Sequence, residues 1–144
     1  MEQGLGLAQN QPETGLGLTT PAAGVGLEAT APIDQAHQAM KLTPEERGLY
    51  ERHLANLNGP GKVMQPDGSI STLLQMGVQG PDGKQYNIPS VYNGRALDFP
   101  AAIRNAQQQG WHNFPSYATV DEAEARYQQM HHYMDQDVQN YLKK

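Results

Sequence analysis

The sequence predicts an α+β fold: a small antiparallel β-meander packed by helices, with a long extended N-terminal arm. Three observations predict it. One turn signal occurs twice, as Pro66-Asp67-Gly68 and Pro81-Asp82-Gly83, with apolar residues on alternate positions between the copies. Helical patterns that open on capping signals lie on either side, at Thr43 and at Thr119. Aromatic residues are absent before Tyr50, and residues 1–36 carry Glu2, Glu13, Glu28 and Asp34 without a single Lys or Arg.

Residues 1–36 are rich in Gly, Pro, Thr, Ala and Gln, a composition that buries too little apolar area to offset the entropy of ordering. The segment is expected to be disordered alone. It nevertheless carries three near-copies of one tetrad, Gly4-Leu5-Gly6-Leu7, Gly15-Leu16-Gly17-Leu18 and Gly24-Val25-Gly26-Leu27. In an extended chain each tetrad puts two aliphatic side chains on one side, and its glycines let another backbone approach. Leu5, Leu7, Leu16, Leu18, Val25 and Leu27 are therefore the candidate partner-docking residues of an arm that orders on other chains. The alternative is a linker that drifted into a low-complexity repeat.

Residues 37–60 read as a helical linker segment. A weak helix signal covers 33–42, and a strong one begins where Thr43 can cap, Pro44 suits the first helical position and Glu46 can reach back. Leu49, Leu54 and Leu57, with Tyr50 and His53, form its stripe, and Asn58-Gly59-Pro60 stops it.

Residues 61–144 read as the small α+β domain, ending in a long helix. A short strand over 61–65 turns into a central hairpin. Ile70, Thr72, Leu74, Met76 and Val78 are expected inward on its first strand and Tyr86, Ile88 and Tyr92 on its second, which Pro89 shortens or places at an edge. Asn93-Gly94 predicts a tight turn with a short return strand over 96–99, and Pro100 opens a helix over 101–109 that Gly110 stops. Trp111, Phe114 and Tyr117 should lie across the core. Thr119 and Glu122 open the last helix, to about Leu142, whose stripe is Ala123, Tyr127, Met130, Met134, Val138 and Tyr141. Its far end, past Met134, is long enough to project toward a partner.

Composition narrows the chemistry. With net charge −5 and a remainder near neutral once the acidic arm is set aside, no basic face for nucleic acid is indicated. The chain has no cysteine, so neither disulfides nor thiolate chemistry apply. No apolar run is long enough for a membrane span, and the N-terminus lacks the pattern of a secretory signal, so synthesis and folding in a cytoplasm are expected. His131 and Asp135 share a helical face, but two ligands do not make a metal site, and no cofactor is expected. Ser69, Ser71 and Ser90 have no nucleophile elbow and no histidine placed beside them by the sequence, so no catalytic residues are assigned. Arg95, Trp111 and Tyr117 form a candidate recognition surface on turns held by the sheet.

The order of these signals resembles a small domain that recurs in tailed-bacteriophage virion proteins, in tail, connector and DNA-ejection proteins. The resemblance rests on Pro66-Asp67-Gly68-Ser69-Ile70-Ser71-Thr72, on Asp82-Gly83-Lys84-Gln85-Tyr86-Asn87-Ile88-Pro89-Ser90-Val91 and on Gly94-Arg95. It continues through Gly110-Trp111-His112-Asn113-Phe114-Pro115-Ser116-Tyr117 and Glu122-Ala123-Glu124-Ala125 to Met130-His131. It implies a non-enzymatic bacteriophage virion structural protein, made in the host bacterial cytoplasm and located in the virion at tail, neck or capsid. Its partners would be other virion proteins in a symmetric multi-copy assembly. The alternative is a cell-wall-binding or DNA-ejection accessory module of the virion.

Overall fold

The computed structural model describes residues 32–143. The chain divides into two units, Met1–Asp34 and Gln35–Lys144. The first contributes to the described residues only the opening of helix α1 (Pro32–Met40), and the six candidate docking residues of the arm lie outside the described residues.

In the second unit, helix α2 (Pro44–Asn58) starts as the capping box requires. The Thr43 side chain accepts from the Glu46 amide at 3.1 Å and the Thr43 amide donates to Glu46 Oε1 at 3.0 Å. Leu49, Tyr50, His53 and Leu57 are buried, so α2 is a layer of the core, where the sequence read only a linking segment. Its stripe is polar enough to look linker-like because two buried members, Glu46 and His53, are matched by polar partners elsewhere in the chain.

Strands β1 (Val63–Met64) and β2 (Ile70–Ser71) pair antiparallel around the first turn signal, and β3 (Met76–Gln79) and β4 (Gln85–Ile88) around the second. The two turns are built alike. Gly68 donates its amide to the Gln65 carbonyl and Gly83 to that of Gly80, with φ of 88° and 84°. Asp67 Oδ1 accepts the Ser69 amide as Asp82 Oδ1 accepts the Lys84 amide. Each is a three-residue hairpin loop in which proline presets the turn and glycine takes the left-handed position.

The expected unbroken strand from Ile70 to Val78 is broken. Leu74 has φ of 45°, which reverses the side-chain alternation, so that Leu73 is buried and Leu74 is 42% exposed. The kink is fixed from across the fold: the Leu73 carbonyl accepts the amides of Ser90 and Val91, and Ser90 Oγ donates to the Leu74 carbonyl at 2.6 Å. The meander is accordingly split. β1 and β2 form their own pair, while β3, β4 and β7 (Ser116–Tyr117) form a three-stranded sheet in that order. Pro89 ends β4 as expected, yet β4 is the central strand, because β7 covers its second edge. Beyond it Val91, not Tyr92, turns inward.

β5 (Val91–Tyr92) and β6 (Arg95–Ala96) close around Asn93 and Gly94, whose φ of 54° and 75° give the predicted tight turn. Helix α3 (Phe99–Gln109) is capped by Asp98, which accepts the Ala101 amide at 2.9 Å, and it buries Ala102 and Ala106. A 3₁₀ turn, Trp111–Asn113, leads to β7, and α4 (Val120–Leu142) closes the unit. α4 packs on α2 and on β4 and buries Ala123, Met130, Met134 and Val138. Its far end does not project: Asp137 bonds to α2 and Lys62 Nζ lies 5.1 Å from the Tyr141 ring centre.

Candidate functional site

Two buried polar clusters join α2 to α4. In the first, Glu46 is fully buried and accepts four hydrogen bonds: from the Thr43 amide, from Arg126 Nε at 2.9 Å and Nη2 at 2.6 Å, and from the Tyr117 hydroxyl at 2.7 Å. Arg126 Nη1 also donates to the Met40 carbonyl at the end of α1. Burial alone would raise the Glu46 carboxyl, but the bonds from Arg126, Thr43 and Tyr117 and the guanidinium charge outweigh it and hold it below its ordinary value. Burial, then the bond to Glu46, pushes the Tyr117 hydroxyl well up, and the same carboxylate raises Arg126. The forked Arg126–Glu46 pair is thus an ionic clamp at neutral pH.

In the second cluster, Asp137 Oδ2 accepts the Tyr50 hydroxyl at 2.6 Å and lies 3.1 Å from His53 Nε2, while His53 Nδ1 lies 2.6 Å from Thr72 Oγ1. With the proton on Nε2, the ring donates to Asp137 and accepts from Thr72, which satisfies every group. Burial, and then the bond to Asp137, pushes the Tyr50 hydroxyl far up. A hydroxyl, an imidazole and a carboxylate in line form a proton relay in outline. Here His53 is fully buried and the relay ties three segments of chain together.

Thr72 and His53 form the back of a small cavity of about 120 Å³ whose walls include Ile70, Leu74, Met134 and the stacked rings of Tyr127 and His131. A second, wider cavity of about 310 Å³ adjoins it, bordered by Met76, Gly77, Gln85, Asn87, Glu124 and again Tyr127. Gln75 and Tyr127 line both, so the two are lobes of one cleft between the β3 segment and α4.

The residues singled out by sequence are placed elsewhere. Arg95 is exposed on β6, and Trp111 is half-buried with its ring centre 5.0 Å from that of Tyr86. Tyr117 is 8% exposed, with its hydroxyl committed to Glu46, so it offers nothing to a surface. His131 and Asp135 are exposed at the rim of the small lobe, and no group of three or more His, Asp or Glu that could hold a metal occurs among the described residues. No described helix is long and apolar enough to cross a membrane.

Sequence reasoning missed Glu46, Arg126, His53 and Asp137 as partners because each pair is separated by 80 residues or more. The one local signal was Glu46 in its capping box. Comparison with protein-family models, with curated proteins and with solved structures found no match.

Proposed function

We propose that the chain is a non-enzymatic virion structural protein of a bacteriophage, in which a stable head is held in a symmetric assembly by an arm that docks on neighbouring subunits. The observation that carries this reading is where the resemblance falls in the fold. From Pro66 to Met134 the resembling residues supply both matched turns, the central strand, the Asn93-Gly94 turn, β7 and the first half of α4. They are framework residues. Pro-Asp-Gly glycines hold left-handed backbone, Ser90 holds the kink, and Asn87 Nδ2 donates to the Ala123 carbonyl to seat α4 on the sheet.

The arm supports the same reading from its sequence. The three tetrads begin at residues 4, 15 and 24, an extended spacing of about 30 to 37 Å, or one small-domain diameter. Equivalent grooves at that spacing around a ring or lattice would turn weak single contacts into a strong combined one. A chain lacking residues 1–30 is expected to fold as a monomer and to be left out of particles assembled in its presence. Incorporation equal to that of the full chain, measured by mass spectrometry of purified particles, would refute the reading.

A further inference from the structure

We propose that the cleft between the β3 segment and α4 binds an oligosaccharide containing N-acetylated amino sugars. This goes beyond the assembly role and does not depend on it. The wide lobe offers hydrogen-bonding groups that the fold does not use: the side-chain amides of Gln75 and Gln85 and the hydroxyl of Tyr127 have no protein partner among the described residues. Glu124 adds a carboxylate acceptor, and Tyr127, which lines both lobes and whose ring stacks on that of His131 with centroids 5.6 Å apart and planes at 22°, gives an aromatic wall.

Planar amides that both donate and accept, beside an aromatic wall, match a neutral ligand that carries many hydroxyls and presents C–H faces. The charge of the lining points the same way. Neither lobe is lined by Lys or Arg, and Asp135 and Glu124 border the cleft, so a phosphate or polyanion is disfavoured. The small lobe sets the substituent. At about 120 Å³, with Ile70, Leu74 and Met134 among its walls and Gln75 shared with the wide lobe, it suits an acetamido group, which has a methyl for the walls and an amide to bond the Gln75 side chain.

The test uses the full chain, ¹⁵N-labelled and titrated with the β-1,4-linked tetramer of N-acetylglucosamine. Amide shifts are expected at Gln75, Gly77, Gln85, Glu124 and Tyr127, and cellotetraose, which lacks the acetamido groups, should bind about tenfold more weakly or worse. Tyr127→Ala should weaken binding about tenfold, and Trp111→Ala should leave it unchanged. Gln75→Ala removes an amide with no protein partner and should also weaken binding, which keeps the test decisive if Tyr127→Ala does not fold. The proposal is overturned by absence of shifts at millimolar sugar, by shifts centred on Trp111, by equal binding of cellotetraose, or by a folded Gln75→Ala chain that binds as well as the parent.

Discussion

Glu46 concentrates more of the fold's polar bonding than any other described side chain, and its environment makes two predictions. Removing Arg126 leaves a buried carboxylate with its ionic partner gone, so Arg126→Ala is expected to cost about 3 to 5 kcal/mol at pH 7, read from urea unfolding. The pH dependence has a definite sign. A carboxyl held below its unfolded value of 4.5 contributes stability that is complete above that pH and lost as pH falls through the lower folded value. The parent chain should therefore lose stability on acidification below about 4.5, and Arg126→Ala should lose less over that window, since the shift it loses is the source of the dependence. At the alkaline end, Tyr50 and Tyr117 are raised above the ordinary value of 10.0, so their contribution is present below pH 10 and declines as pH rises beyond it. Ultraviolet titration should show two of the seven tyrosines ionising only as the chain unfolds. Ionisation of all seven together in folded protein would contradict the buried bonds described.

Among the elements, α4 and the hairpins show what local sequence can and cannot announce. Helix starts were legible because a capping box is local: Thr43 and Glu46 meet as read, and Thr119 accepts the Glu122 amide while Glu122 reaches the Ala118 amide one residue further back. Turn chemistry was legible for the same reason. The kink at Leu74 was not, since the bonds that hold it come from Ser90 and Val91, and alternation alone gave Leu74 the inward place that Leu73 occupies. The anchoring of the far end of α4 was not legible, because its anchor, Asp137, is polar and its partners Tyr50 and His53 lie 84 or more residues away. Removing residues 137–144 is therefore expected to destabilise the fold by several kcal/mol, because it orphans a buried histidine and a buried tyrosine hydroxyl. A projecting helix end would give no change. At the second turn, a Cβ on Gly80 would come 2.4 Å from the Tyr86 ring, which Trp111 covers on its own side. Gly80→Ala should cost about 1 to 3 kcal/mol, and Gly68→Ala in the matching turn should cost only its strain, since nothing lies near that position.

For the whole molecule, the division after Asp34 separates a segment with no basic or aromatic side chain from one that holds every aromatic residue of the chain. Leu49, Leu57, Ile88, Val91 and Met130 are among the hydrophobic side chains buried in the second unit. Burying one aliphatic side chain fully is worth roughly 1.5 to 3 kcal/mol before ordering costs, so a single tetrad should bind weakly and three together firmly. Leu16 and Leu18 belong to the middle copy, and changing both to Asp removes its apolar contact and puts two charges where a partner's groove would be. The double change is expected to weaken association with assembled particles by tenfold or more, roughly 1.4 kcal/mol at the least, while leaving the melting temperature of the isolated chain unchanged. A lowered melting temperature would show instead that the tetrads pack within their own chain. Unchanged association would reduce the arm to a linker.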